Sequence, residues 1–316
     1  MVKQITVQNL VTGQEVFLSA FGDSYYVLDE IDWDLPSVSF AEYELPEQIG
    51  SSVYNTTIGT KVPKITGYVV AAQAKEKIQA ETWEEYYSKA EKRIEENKKN
   101  LNKILNPLNT IRVIAGEYYL EGKVSGLAKY STTEEENNEV LCKFSFEFKA
   151  FNSMFRKIED EEGNRKFSVT EGMFHFPMVW LQNNTVFGVI GKSKLITITN
   201  SGDVSVGAVI TIDINGGTAV NPSFFSAEDG AEIKFIREFE NGEQLVIDTR
   251  KGEEDAYVIT AEGEQEDLLG YLSDNSTFVQ ISQGEGRYGY TAESETDIYM
   301  TVSVNFEGEY FYMEGM

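Results

Sequence analysis

The sequence predicts a mainly β protein with one long helix: an α+β N-terminal domain followed by a C-terminal antiparallel β-sandwich or jelly roll. Three observations carry this. Apolar and polar residues alternate with period two along much of the 316-residue chain, and each such stretch is a strand with one buried face. From about residue 165 onward these stretches are separated by Gly-, Asn- and Asp-containing turn signals with no helix between them. One segment alone, in the first half, switches to helical spacing.

That segment contains Trp83, Tyr86, Tyr87, Ala90, Ile94, Leu101, Ile104, Leu105 and Leu108, and the predicted helix runs from about 82 to 105. Thr82-x-x-Glu85 is a capping box at its start. Glu84 and Glu85 in the first turn and Lys98, Lys99 and Lys103 toward the end match the helix dipole. Glu85 with Lys89 and Glu95 with Lys99 are favourable i, i+4 pairs, and Pro107 ends the pattern. The helix needs a sheet to lie on, and strands on both sides supply one.

A hairpin follows, from Gly116–Tyr130 and Glu139–Phe151, with the acidic stretch Thr132–Glu139 at its tip. In the second strand Val140, Cys142, Phe144, Phe146, Phe148 and Ala150 form the apolar face. Arg156–Lys166 is charged, with Ile158 its one apolar residue, and is the expected linker. The expected domains are therefore residues 1–155 and 167–316. In the second, Ile210, Ile212 and Ile214, then Leu245 and Ile247, then Ile298, Met300, Val302, Val304 and Phe306 repeat the strand pattern. Asn200-Ser201-Gly202-Asp203, Asn215-Gly216-Gly217, Asn241-Gly242 and Lys251-Gly252 mark the turns.

Composition narrows the function classes. With 52 acidic against 27 basic residues the formal net charge is −25. Binding phosphate backbones or anionic lipid requires Lys and Arg in excess, so neither specific nucleic-acid binding nor a membrane partner is expected. The single cysteine, Cys142, precludes an intrachain disulfide and reads as a small buried hydrophobe. Residues 1–15 show no apolar core behind basic residues, and Tyr68–Ala72 and Met178–Leu181 are far too short to span a bilayer. Synthesis and folding in a cytoplasm are the expectation.

Motifs for chemistry fail one by one. His175, in Phe174-His175-Phe176-Pro177, is the only histidine and reads as structural. One His and one Cys cannot supply a standard zinc site. Gly284-Glu285-Gly286-Arg287-Tyr288-Gly289 matches a dinucleotide fingerprint by letter, but no helix follows it, so a turn between strands is expected there. The acidic run from Asp29 to Asp34 lacks the glycine and distal Glu of a calcium loop. No catalytic, cofactor-binding or metal-ligating residue is assigned, and no cofactor is expected.

The C-terminal half carries a specific order of residues: Asn200-x-Gly202-Asp203, Gly207, Ile210-x-Ile212, Asn221-Pro222, then Gly242-Glu243-x-Leu245-x-Ile247-Asp248-Thr249, then Ser276-Thr277-Phe278, Ile281 and Gly284. It resembles the C-terminal domain of the distal tail proteins of long-tailed phages, a siphovirus-type tail component family. Lys64-Ile65-Thr66-Gly67 and Lys103-Ile104-Leu105-Asn106-Pro107 resemble the strand before that family's helix and the helix's close. The resemblance implies a hexameric ring at the tail tip of a virion, with N-terminal domains around a channel and galectin-like outer sandwiches. It implies the tail tube protein, the tail-associated tip protein and receptor-binding proteins as partners, and no catalytic residues. Around such a channel, Asp29, Glu30, Asp32 and Asp34 are the first candidates for a lining that repels DNA. The alternative is a carbohydrate-binding module using Tyr288, Tyr290, Tyr310 and Tyr312, with a tail-associated hydrolase a further rival.

Overall fold

The computed structural model describes residues 2–34, 37–43, 51–158, 164–168, 193–293 and 298–313. Two compact units divide the chain, Met1–Ile158 with Phe311–Met316, and Glu159–Tyr310.

In the first unit the strands are β1 (Gln4–Asn9), β2 (Glu15–Ser19), β3 (Tyr26–Asp32), β4 (Val38–Tyr43), β5 (Ser52–Ile58) and β6 (Lys64–Val70). Helix α1 (Trp83–Ile104) separates these from β7 (Ile111–Ala115), β8 (Tyr118–Val124), β9 (Lys129–Tyr130), β10 (Leu141–Ala150) and β11 (Phe155–Lys157). The order β8–β7–β1–β2–β3–β6–β10 closes on itself because β10 pairs back with β8, Phe148 opposite Val124 and Ala150 opposite Gly122. Closure leaves no free edge along this path, which removes the usual hazard of unpaired strand edges. β9 pairs with β10, and β11 with β8, so both prolong the closing seam. The pairings are antiparallel except β2 with β3.

Alternation puts Ile5, Val7, Val16, Leu18, Ile65, Val69, Val113, Phe144, Phe146 and Phe148 in the core. Helix α1 lies against β1, β2 and β6. Its start is as the sequence predicts: Thr82 Oγ1 accepts from Glu85 N at 3.2 Å. The Glu85 carboxylate accepts from Glu81 N rather than from Thr82, so the box is only half formed. The helix buries Ala90, Ile94, Leu101 and Ile104. Barrel side chains also satisfy its carbonyls: Tyr26 Oη donates to Asn97 O at 3.0 Å and Asn9 Nδ2 to Ile104 O at 3.0 Å. Ile104 O is one of the terminal carbonyls that a helix cannot satisfy internally. The expected pair Glu85–Lys89 forms, at 2.7 Å, but Glu95 pairs with Lys98 rather than Lys99.

In the second unit the strands are β12 (Asn164–Ser168), β13 (Ser193–Asn200), β14 (Val209–Gly216), β15 (Ala219–Ser226), β16 (Glu232–Lys234), β17 (Glu238–Phe239), β18 (Gln244–Asp248), β19 (Asp255–Ile259), β20 (Gln265–Asp267), β21 (Gly284–Glu293) and β22 (Tyr299–Asn305). One antiparallel sheet runs β12–β22–β14–β18–β19–β20 and a second runs β13–β21–β15–β16. A single cluster draws Ile210, Ile212, Leu245, Val302 and Val304 from the first and Ile198, Phe224, Tyr288 and Tyr290 from the second. Two sheets that share one core satisfy the period-two pattern of both.

Two sequence expectations need correction. The stretch 156–166 is not a bare linker: Arg156 and Lys157 pair with β8, and Asn164–Lys166 begin a strand that pairs with β22. The glycines of 284–289 lie inside β21, not in a turn between strands. A Cβ on Gly286 would come within 2.7 Å of the Tyr288 hydroxyl, so this glycine makes room for a buried ring.

Candidate functional site

The residues that make up the C-terminal signature hold the second unit's turns together. Asn200 is 1% exposed. Its Nδ2 donates to Val204 O at 2.8 Å and Ile281 O at 3.2 Å, while its Oδ1 accepts from Gly202 N at 2.9 Å. One amide side chain thus ties the turn after β13 to the loop before β21. A Cβ on Gly202 would sit 2.7 Å from Glu309 N, and one on Gly207 would sit 2.4 Å from the Arg250 Cα. Side chains are excluded at both, the reason for glycine. Thr249, fully buried, donates to Ala208 O and accepts from Ala208 N. Ser276 Oγ does the same with the Lys234 backbone, at 3.0 Å each way. Asn221 has φ +50° where the β15–β21 register shifts, a left-handed position that Asn tolerates best after glycine. These polar groups are consumed by the fold and none is left for chemistry.

The first unit presents surface instead. β4 and β5 form a separate two-stranded hairpin. It exposes Val38, Phe40, Val53 and Tyr54, each more than half accessible. A two-stranded hairpin with both faces in water is marginal by itself. Trp83 and Tyr87, at the start of α1, are also exposed, their rings stacked at 6.3 Å. The acidic run divides. Asp29, Glu30 and Asp32 are exposed, with Asp29 3.8 Å from Lys143 Nζ. Asp34 has φ +50° and accepts from Val62 N at 2.9 Å, so it is a structural carboxylate.

Cys142 is a free, buried thiol in β10, and burial pushes its pKa up, away from a reactive thiolate. Among the described residues no three His, Cys, Asp or Glu side chains are placed to hold a metal ion. His175 lies outside the described residues. Tyr288 and Tyr290 are core residues, 0% and 2% exposed. Ser282 N donates to Tyr288 Oη at 2.7 Å, which fixes that ring inward. They offer nothing to a sugar. No helix among the described residues is long and apolar enough to cross a membrane. Sequence reasoning missed the hairpin 38–58, whose strands carry no clean alternation and are buried on neither face.

Residues 201–310 match the family model described as siphovirus-type tail component, C-terminal domain. No curated protein matches the chain. Among solved structures, the SPP1 Dit protein is 12% identical with a TM-score of 0.55 over 95% of this chain and 98% of that one. It is described as a paradigm of the hub adsorption apparatus in phages that infect Gram-positive bacteria. Chains of the phage P2 baseplate in its activated conformation, with calcium and with strontium, are 9% and 10% identical with TM-scores of 0.42 and 0.41. At 12% identity the SPP1 likeness establishes the fold, and the two lower scores add nothing to it. The knot of Asn200, Gly207 and Thr249 lies within or beside the matched stretch. Residues 201–310 are thus similar to the C-terminal domain of siphovirus-type tail components, and the fold over 95% of the chain is like that of the SPP1 Dit protein.

Proposed function

We propose that this chain is the structural distal tail protein, the baseplate hub, of a bacteriophage or prophage-derived tail particle. The observation that carries the reading is a coincidence of two independent signals: the tail-component domain match at 201–310 and a likeness to a hub protein that spans 95% of the chain. In this reading six copies form a ring through their first units. The ring joins the tail tube to the tail-associated tip protein, and galectin-like outer units face the receptor-binding apparatus. The chain resides at the tail tip of the virion, has a scaffolding role rather than a catalytic one, and takes no cofactor.

The exposed hairpin β4–β5 supports assembly. Its apolar side chains and marginal independent stability favour burial against a neighbouring subunit. A head-to-tail contact of this kind closes into a ring when its rotation does. Asp29, Glu30 and Asp32 are the proposed lumen carboxylates; fixed negative charge there would repel DNA over roughly 8 Å at physiological salt. Asp34, bonded to Val62, is left out of that set.

Native mass measurement of the purified protein tests the reading. The expected species is six times the 35.6 kDa chain, and Phe40→Asp with Tyr54→Asp should reduce it to monomer without loss of the folded circular dichroism spectrum. A wild-type protein that stays monomeric at tens of micromolar, together with complete infectious tails from a particle lacking it, would overturn it.

A further inference from the structure

Among the described residues the two strands of the β4–β5 hairpin pair with each other and with no other strand. The chain leaves β3 for this hairpin through Trp33 and Asp34 and returns to β6 through Gly59–Pro63. Gly59 N donates to Ser37 O at 2.7 Å, so the two legs of the hairpin are tied to each other. The root is tied to the barrel mainly by backbone bonds. Ala150 N donates to Lys61 O at 3.0 Å and Phe148 N to Pro63 O at 3.2 Å, and Ser153 Oγ donates to Gly59 O. Val62 N donates to Asp34 Oδ2 at 2.9 Å. The Phe155 ring holds both legs, with the Trp33 ring edge-on at 5.4 Å and Lys61 Nζ 4.0 Å from its centroid.

One of these contacts is relieved by breaking it. Lys61 is fully buried and its ammonium has no hydrogen-bond partner. Lysine usually keeps its charged end in water, and a ring face replaces only part of the lost hydration. Asp34 is the carboxylate that acts on this lysine, but its Oδ2 is engaged by Val62 N, at a residue with φ +50°. On the strands around the root Asp32, Lys64, Glu147 and Lys149 are exposed, and on β11 Arg156 and Lys157 are half-buried, the latter paired with Glu117. Burial lowers the Lys61 pKa to about 8, so at neutral pH the docked root holds a charge that it does not solvate. The barrel has its own closure: Phe148 and Ala150 also pair with Val124 and Gly122 of β8. We propose that Gly59–Pro63 is a latch that opens locally, the Lys61 side chain leaving Phe155 for water and the β4–β5 hairpin moving as one arm while the barrel stays closed. The tie between Ser37 and Gly59 keeps the legs together as it moves. An arm freed in this way presents Val38, Phe40, Val53 and Tyr54 in more than one direction, and an apolar surface that covers them selects one. The inference concerns a single copy of the chain and does not depend on the ring.

Amide hydrogen exchange of the full chain, read by mass spectrometry, tests it. The reporters are peptides that contain Val62 and Ala150, whose N–H groups are bonded across the root. The reference is a peptide containing Val7 of β1, which is paired on both sides by β2 and β7. At pH 7 the root should exchange at least about tenfold faster than β1, and about 1 M urea should leave its rate unchanged, because a local opening exposes little surface. Lys61→Met should slow the root at least about tenfold at pH 7, since a neutral side chain gains nothing by leaving. Near pH 10 the two proteins should differ by only a few-fold, because the wild-type amine is then largely neutral when docked. Comparison at equal pH cancels the intrinsic exchange rate. Lys61→Leu replaces Lys61→Met if that variant does not fold. If the wild type is assembled, the measurement is made in the Phe40→Asp, Tyr54→Asp background, where a single copy decides. The latch is overturned if the root exchanges at the rate and with the urea dependence of β1, which would make Lys61 a cost borne by the whole barrel. It is equally overturned if Lys61→Met leaves root exchange unchanged at pH 7, or if the ratio of the two proteins is the same at pH 7 and pH 10. Such a failure with an intact six-chain mass would leave the hub reading standing.

Discussion

Lys61, between β5 and β6, is fully buried with its Nζ 4.0 Å from the centroid of the Phe155 ring and no hydrogen-bond partner. Loss of hydration lowers its pKa from 10.5 to about 8, against the opposing pull of the Asp34 carboxylate. The ring face supplies part of what water would have given. Below pH 8 the amine is charged in both folded and unfolded chains, and folding bears the full desolvation cost. Between pH 8 and 10.5 the unfolded chain binds more protons, so stability should rise with pH across that window. Lys61→Met keeps the stem and removes the charge. It should raise Tm at pH 7, by an amount equivalent to at most about 3 kcal/mol at 1.36 kcal/mol per pKa unit, and the gain should vanish by pH 10.5. Thermal melts at both pH values check this; the same shift at each would show that the ammonium carries no such penalty. Nothing in the local sequence, Thr60-Lys61-Val62-Pro63, marks this lysine as buried. Its environment is made by Asp34 and Phe155, distant in the chain.

At the scale of an element, α1 was the most legible part of the chain. Its cap, its apolar stripe and its end at Pro107 are all local properties, so the observed Trp83–Ile104 lies within a residue of the sequence reading. Ile94 is 3% exposed and Glu91 is exposed. Ile94→Asp should therefore destabilise the fold by several kcal/mol, on the order of the cost of a buried unpaired charge, while Glu91→Lys should be nearly silent. Urea denaturation of the two variants compares them directly, and equal midpoints would refute the packing of this face. The exchange of Lys99 for Lys98 as the partner of Glu95 shows where helical spacing stops being informative. Both offsets, three and four, bring charges together on a helix. Lys98 is selected because its Nζ also lies 5.3 Å over the Tyr130 ring, a contact that only β9 provides. The same limit explains β21, where glycines suited to a turn are strand residues that make room for Tyr288.

For the whole molecule, the boundary between Ile158 and Glu159 falls inside the stretch that composition marks as a linker. The sequence Ile158-Glu159-Asp160-Glu161-Glu162-Gly163 offers almost nothing to bury. Limited proteolysis should cut first within residues 158–163 and leave a fragment that begins by Asn164, since Asn164 pairs with Asn305. Mass spectrometry of the first fragments decides it; a first cut within residues 200–293 would place the weak point inside the second unit instead. The charge of −25 acts at this scale too. Like charge of this size opposes association, so the proposed assembly rests on local apolar or oppositely charged surfaces such as the β4–β5 hairpin.

Class, helix and strand faces were determined by the sequence alone, because period-two and 3.6-residue alternation are local records of which side meets the core. So was the C-terminal signature, since Gly202 and Gly207 sit where a Cβ would clash and Asn200 and Thr249 bond the turns beside them. Closure of the first sheet into a barrel was not legible. It depends on the register of Phe148–Ala150 against Gly122–Val124, and an antiparallel strand reads the same whether its sheet is open or closed. Nor was the separation of the β4–β5 hairpin or the burial of Lys61. Each depends on which distant side chains arrive nearby, and that is fixed only when the chain has folded.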